Sequence, residues 1–119
     1  MKFLLSLVFL LFFNLGMAQI TLKPITELSQ KDIESGILVD VRTPKEFKAG
    51  HLDSAININW YDADFTAQFN SINQRKVIYL YCKVGGRSLN AAKCLKSLGF
   101  EHVVNLTGGY DAVTIKNDL

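Results

Sequence analysis

The sequence has little excess charge of either sign, with 13 lysines and arginines against 11 aspartates and glutamates in 119 residues. No cluster of basic residues resembles a nucleic-acid-binding surface, so nucleic acid is not an expected partner. Repeats and low-complexity segments are also missing. The length therefore suits one domain of ordinary size that buries a modest core.

The N-terminal segment reads as a signal peptide rather than as part of the fold. A cationic start precedes an almost wholly apolar run, Phe3 to Phe13, and small residues follow at Gly16 and Ala18. The run is shorter than the roughly 20 residues of a membrane-spanning helix, so we expect no stable membrane anchor. We predict a signal peptide at 1–18 and a domain at 19–119, exported to a periplasmic or other extracytoplasmic location.

Cysteine is scarce, and the two that are present are not expected to pair. Cys82 ends an apolar run, whereas Cys94 lies about two turns into the helix predicted after it. Cα atoms joined by a disulfide lie within about 7 Å of each other, which this spacing does not favour. Cys94 shares a helical stripe with Ala91 and Leu95, so we predict a buried, apolar cysteine there.

Short apolar runs alternate with helix-like stretches along the rest of the chain. This alternation predicts an α/β fold with a central, mostly parallel sheet flanked by helices. The predicted strands are Ile37–Val41, Ala55–Ile58, Val77–Tyr81 and Val103–Leu106, with an edge strand at Thr21–Ile25. The predicted helices are about Thr26–Glu34, Pro44–Ala49, a short one around Phe65 and Phe69, and Ser88–Leu98.

Polar and reactive residues follow several of the predicted strands. In parallel sheets, ligands bind beyond the carboxyl ends of the strands. Cys82 lies at one such end, and Asp40, Arg42 and Gly108-Gly109 should lie at others. We therefore expect these groups to face one shallow pocket. An unpaired buried carboxylate would be costly, so Asp40 is expected to support the site by binding loop amides or Arg42.

The segment after Cys82 has the composition of an anion cradle. Two glycines allow a tight curl, and a helix N-terminus lies below, so backbone N–H groups should surround the sulfur and favour its thiolate. Arg87 can offer a planar fork to an oxyanion, Lys83 a point charge, and Ser88 a cap for the helix. Cys82 is thus the candidate nucleophile. The candidate substrate-binding residues are Lys83, Val84, Gly85, Gly86, Arg87 and Ser88.

An ordered set of motifs resembles the single-domain rhodaneses, and more narrowly the small periplasmic, phage-shock type. The similarity covers nearly all of the predicted mature chain. Tyr110 stands where this family frequently has tryptophan. The motifs that carry the resemblance are Leu38–Arg42, Glu46-Phe47, Gly50-His51-Leu52, Ala55–Ile58, Cys82–Ser88, Val103–Leu106 and Gly108-Gly109-Tyr110.

The resemblance implies a rhodanese-like domain that transfers a sulfane sulfur from thiosulfate, or a related donor, to cyanide or a thiol. Cys82 would carry the sulfur as a persulfide. No metal and no organic cofactor are implied. A protein could serve as sulfur donor or acceptor in place of the small molecules.

Two other functions stay open at this point. Cysteine-dependent phosphatases and arsenate reductases use a similar cradle, but with five residues between cysteine and arginine, whereas Cys82 and Arg87 are separated by four. A shorter ring should suit a sulfur atom better than a tetrahedral phosphate. The other alternative is a non-catalytic redox or binding module.

Overall fold

The structure, a computed structural model, describes residues 19–118, so the predicted signal peptide lies outside the described residues. The strands in this range are β1 (Thr21–Pro24), β2 (Ile37–Asp40), β3 (Ile56–Asn57), β4 (Val77–Tyr81) and β5 (His102–Thr107). The α-helices are α1 (Gln30–Ser35), α2 (Pro44–Ala49), α3 (Gly86–Ser97) and α4 (Gly109–Asp118), and short 3-10 helices span Ile25–Glu27 and Ala67–Phe69. Across residues 19–118, every helix is too short or too polar to cross a membrane.

The five strands form one parallel sheet with the order β1-β5-β4-β2-β3. Val39 of β2 pairs with Leu80 of β4, which in turn pairs with Asn105 of β5. Because all strands point the same way, their carboxyl ends share one edge, where Asp40 and Cys82 come close together. The predicted α/β fold with a central parallel sheet and flanking helices is confirmed.

Apolar side chains cover both faces of the central strands, which explains why their sequences are continuous apolar runs rather than alternating ones. On β4, Ile78 and Leu80 pack on the face covered by α3. Tyr79 and Tyr81 lie in the second cluster, on the face covered by α4 and the first 3-10 helix. Burial of each large aliphatic side chain stabilises the fold by about 1.5–3 kcal/mol, so this double-sided core holds β4 and the loop after it in place.

The single helix predicted from about Thr26 to Glu34 is wrong. The chain leaves the first 3-10 helix through extended backbone at Leu28 and Ser29, and α1 begins only after Ser29. The Ser29 hydroxyl accepts a hydrogen bond from the Asp32 N–H, and the Asp32 carboxylate accepts one from the Ser29 N–H, both at 3.1 Å. This reciprocal capping box starts a new helix and so interrupts the predicted one.

Helix α2 begins and ends where the sequence predicts. The Thr43 hydroxyl accepts from the Glu46 N–H at 3.3 Å, and the Glu46 carboxylate accepts from the Thr43 N–H at 3.2 Å. Pro44 occupies the first turn and Gly50 follows the last residue. The capping box therefore holds Glu46 at a defined place beside the carboxyl edge of the sheet.

Both cysteines are free, but Cys94 is only half-buried, so the prediction of a buried cysteine is wrong. The fully buried stripe of α3 consists of Ser88, Ala91, Ala92 and Leu95. Cys94 lies at the border of that stripe, because the helix turns about 100° for each residue.

A buried ion pair closes the carboxyl end of β2. The Arg42 N–H and guanidinium donate to both carboxylate oxygens of Asp40 at 2.7–3.1 Å, and the two residues are 4% and 0% exposed. Arg42 Nη2 also donates to the Gly50 carbonyl at 2.7 Å, and the guanidinium lies 4.4 Å from the Tyr110 ring centre. The pair therefore joins β2, the end of α2 and the start of α4, three elements that surround the Cys82 loop.

We predict that Asp40→Asn lowers the free energy of unfolding by about 3 kcal/mol, because it leaves Arg42 as a buried charge without its counterion. Urea denaturation measures the loss. The double variant Asp40→Asn, Arg42→Met should lose less than the sum of the single variants. Asp111→Asn, which removes an exposed carboxylate, serves as control and should change stability little. Strictly additive losses in the double variant would contradict this account.

Candidate active site

The Cys82 loop connects β4 to α3 in very few residues. Cys82 follows Tyr81 at the strand end, and α3 already begins at Gly86. The turn depends on Gly85, whose φ of +118° lies in the left-handed region that side chains with a Cβ rarely adopt. In this conformation the Gly85 N–H donates to Cys82 Sγ at 3.0 Å. The glycine is therefore needed for its backbone angle.

Hydrogen bonds to the sulfur favour its ionised form. Burial alone raises the pKa of the Cys82 thiol, but the Ser88 hydroxyl and the backbone N–H groups of Ser88, Gly85 and Val84 outweigh burial, so the pKa lies below its ordinary value. Each donor stabilises the thiolate more than the thiol. The loop thus provides the cradle of amides that the sequence predicts around this sulfur.

Ser88 does not cap α3, and that prediction is wrong. The helix starts two residues before Ser88, so Gly85 takes the capping position and no side chain caps the helix. The Ser88 side chain is fully buried, and its hydroxyl lies 3.1 Å from the Gly85 carbonyl oxygen and 3.4 Å from Cys82 Sγ. Because a hydroxyl has one proton, Ser88 donates to only one of these acceptors at a time.

Arg87 lies beside the loop, and both terminal nitrogens of its guanidinium are already hydrogen-bonded. Arg87 Nη1 and Nη2 donate to the two carboxylate oxygens of Glu46 at 2.7 and 2.9 Å. The Arg87 guanidinium lowers the pKa of Glu46 to about 2. Tyr61 lies on the other side, with its ring centre 5.7 Å from the Arg87 guanidinium carbon. Glu46 is thus a site residue that the sequence indicated only through its motif and its helix cap.

Lys83 is paired as well. Its Nζ lies 2.6 Å from Asp111 Oδ2, and both side chains are substantially exposed. Asp111 is held next to Lys83 by the backbone too, because its N–H donates to the Lys83 carbonyl at 3.1 Å. Both cations that the sequence assigns to the loop therefore lie against carboxylates.

The start of α4 packs directly on the Cys82 loop. The Tyr110 N–H donates to the Cys82 carbonyl at 2.8 Å. A Cβ at Gly109, where φ is +62°, would come within 2.3 Å of the Lys83 carbonyl oxygen, so only glycine permits this approach. The Gly108-Gly109 turn therefore lies against the Cys82 loop, as its position after β5 predicts.

Asp40 and Arg42 do not line a pocket with Cys82, so that part of the prediction is wrong. Pairing with each other makes burial of both charges tolerable, and they lie beneath the surface as support. Cys82 itself is only 1% exposed, so its sulfur has at most a small opening to solvent. The exposed large apolar side chains nearby are Val84 on the loop and Tyr61 beside Arg87, and Lys83 on the loop is exposed as well.

A separate groove of about 300 Å³ lies between α1, α4 and the first 3-10 helix. Its described lining includes Leu28, Ile33 and Val113, with Asp53 and Lys116 as charged members, but no cysteine or histidine. Among residues 19–118, no three histidine, cysteine or carboxylate side chains are grouped so as to hold a metal ion. Of these two places, the Cys82 loop is the one that holds a candidate nucleophile.

Comparison with known proteins finds the same domain in many organisms. Rhodanese-like domain-containing protein 17 of Arabidopsis thaliana is 40% identical over 97 residues, covering 71% of this chain and 62% of that protein. Thiosulfate sulfurtransferase 16, a chloroplastic protein of the same plant, is 38% identical over 84 residues, covering 62% of this chain and 70% of that one. The chain thus spans somewhat less than two thirds of the first of these relatives.

Solved structures agree with the fold described above. A rhodanese-like domain protein from Staphylococcus aureus superposes with a TM-score of 0.66 at 30% identity, covering 76% of this chain and 87% of that one. The sequence model of the rhodanese-like domain matches residues 25–116, which include β2, the Cys82 loop and the start of α4. The chain therefore belongs to the rhodanese-like domain family.

Proposed function

We propose that this protein is a sulfurtransferase that takes a sulfane sulfur from thiosulfate or a related donor and passes it to a thiophilic acceptor such as cyanide or a thiol. The observation that carries the proposal is the set of hydrogen bonds from the Ser88 hydroxyl and the loop N–H groups to Cys82 Sγ. They lower the thiol pKa without a general base, and so favour the thiolate, which is the nucleophilic form of cysteine.

The reaction would proceed in two halves. In the first, the Cys82 thiolate attacks the outer sulfur of thiosulfate, the donor's S–S bond breaks, and sulfite leaves with the electron pair. In the second, the acceptor attacks the terminal sulfur of the Cys82 persulfide, and the thiolate leaves. The amides of Val84, Gly85 and Ser88 that now face Sγ would stabilise the anion on the transferred sulfur. Asp40 and Arg42 would support the loop from below.

The relatives are consistent with this activity. One is named a thiosulfate sulfurtransferase, and another, from Allochromatium vinosum, is named a sulfurtransferase at 33% identity. We further propose that the chain is of the small periplasmic, phage-shock type, on the strength of residues 1–18 and of the motifs described above. A protein sulfur donor or acceptor would then act in an extracytoplasmic compartment.

The near-complete burial of Cys82 favours one other candidate, a non-catalytic binding module. Cys82 is only 1% exposed, which leaves little room for a donor to reach its sulfur. In a binding module the loop would stay closed and Cys82 would be a core residue.

We predict that Cys82→Ser reduces thiosulfate:cyanide transfer by roughly a thousandfold or more, to the uncatalysed background. Mass spectrometry of the wild type after incubation with thiosulfate should show one added sulfur atom on the peptide that contains Cys82. Cys94→Ser is the matched control and should keep both turnover and sulfur loading. Transfer that survives in Cys82→Ser would refute the proposal, and so would hydrolysis of an aryl phosphate that outpaces sulfur transfer.

We predict that Ser88→Ala raises the Cys82 pKa, because it removes a donor that stabilises the thiolate. The pH dependence of iodoacetamide alkylation, followed on the Cys82 peptide, measures the shift. The alkylation midpoint should therefore move to higher pH in the variant. An unchanged or lower midpoint would show that the backbone amides alone set the pKa.

The predicted export can be tested independently of the enzymatic activity. The full chain, produced in a Gram-negative host, should be recovered from the periplasmic fraction with Gln19 at its N-terminus, because cleavage is predicted after Ala18. Intact mass and N-terminal sequencing decide this. Recovery of the uncleaved chain in the cytoplasmic fraction would contradict it.

A further inference from the structure

The two cations of the Cys82 loop, and the arginine beneath it, are each paired with a carboxylate. Arg87 is matched by Glu46 and Lys83 by Asp111, while the buried Arg42 beneath them is matched by Asp40. Each cation that could attract an anionic donor is therefore balanced by a carboxylate within hydrogen-bond distance. What remains to attract an anion is the partial positive charge of the loop amides and of the α3 N-terminus.

The Glu46–Arg87 pair is not easily displaced by a substrate. Both carboxylate oxygens of Glu46 accept from the guanidinium, at 2.7 and 2.9 Å. Glu46 Oε1 also accepts from the Thr43 N–H and hydroxyl, at 3.2 and 3.1 Å. A doubly charged donor that sought the Arg87 fork would have to break this bidentate pair while Glu46 stayed fixed by the helix cap.

The Lys83–Asp111 pair is exposed, but a backbone hydrogen bond keeps the two residues next to each other. The Asp111 N–H donates to the Lys83 carbonyl at 3.1 Å, so the two backbones are joined. The Asp111 carboxylate therefore keeps the potential near the loop close to neutral even when the side-chain contact opens.

Apart from the paired Lys83, the exposed side chains beside the Cys82 loop are apolar in character. Val84 is 65% exposed and its own N–H faces Sγ, so its side chain stands at the rim of the loop. Tyr61 is 66% exposed and packs beside Arg87. An aliphatic side chain on the loop and an aromatic one beside Arg87 are thus available to a donor that carries an apolar substituent.

We propose that Glu46 and Asp111 determine donor specificity, and that the preferred donor is a singly charged sulfane-sulfur anion with an apolar substituent rather than the thiosulfate dianion. This inference rests on the proposed sulfurtransferase function. In the step, the Cys82 thiolate bonds to the outer sulfur of R–SO₂–S⁻ or R–S–S⁻. The donor's S–S bond breaks, and the sulfinate or thiolate leaves with the electron pair, so no other reactant is needed.

Methanethiosulfonate and thiosulfate are a matched pair of probes, because a methyl group replaces one charged oxygen while the transferred sulfur is the same. The value of kcat/KM is measured for each donor, with cyanide as acceptor and at low ionic strength. In Asp111→Asn, the ratio of thiosulfate to methanethiosulfonate kcat/KM should rise about fivefold, because the doubly charged donor gains more from the lost carboxylate. The increase should shrink in high salt.

Controls separate charge at the site from charge elsewhere. Glu34→Gln removes an exposed carboxylate from α1, whose C-terminal end feeds the amino end of β2, opposite Cys82. It should leave the ratio of the two kcat/KM values unchanged.

Benzenethiosulfonate tests the apolar contact with Tyr61. In the wild type, the KM for benzenethiosulfonate should be below the KM for methanethiosulfonate. The Tyr61→Ser variant should remove this difference.

The outcomes distinguish this inference from the function on which it rests. If neither donor places sulfur on Cys82, the proposed function falls and the inference with it. If both donors load Cys82 but Asp111→Asn raises their kcat/KM equally, or not at all, the specificity inference alone is overturned. A selective gain for thiosulfate in Asp111→Asn, absent in Glu34→Gln, supports it.

Discussion

Two hydrogen bonds from the start of α4 determine the shape of the Cys82 loop. The Tyr110 and Asp111 N–H groups bind the carbonyls of Cys82 and Lys83 at 2.8 and 3.1 Å. With the Lys83 carbonyl directed at α4, the Val84 N–H of the same peptide unit points the opposite way, toward Sγ. The approach is close enough that Gly109 has no room for a Cβ. The chemistry of the cysteine thus depends on a helix that begins 27 residues later in the chain.

The site stabilises a sulfur anion with dipoles and keeps its full charges in pairs. Burial of Cys82 disfavours the thiolate, and several short hydrogen bonds offset that cost. An unmatched arginine at the same depth would help the thiolate, but it would also need its own solvation or partner. Glu46 supplies that partner for Arg87. The loop amides are then left as the groups that bind an anion.

The fold was largely predictable from local patterns, whereas the partners of the site residues were not. Apolar runs, Pro44 and the glycines after the helices predict the elements and the parallel sheet, because these signals lie within a few residues of their effect. The predicted helix from Thr26 to Glu34 ran through Ser29, so its role as a cap was missed. Glu46 and Arg87 are 41 positions apart, and Lys83 and Asp111 are 28 apart. No short-range pattern reveals contacts over such separations. For this reason the sequence did not predict that Arg87 and Lys83 are paired with carboxylates.

The single proton of Ser88 links the cradle to the chemistry that we propose for it. Its hydroxyl lies within reach of both Sγ and the Gly85 carbonyl, and the Leu89 N–H also donates to that carbonyl at 3.1 Å. Gly85 therefore keeps a hydrogen bond when Ser88 turns to the sulfur, and the rotation leaves no buried carbonyl unpaired. When the negative charge moves from Sγ to a transferred sulfur, Ser88 can return to Gly85 at little cost, while the loop amides stay in place. Because the Ser88 hydroxyl has two acceptors within reach, it can rotate when the negative charge moves between Sγ and the transferred sulfur. The backbone of the loop does not need to change.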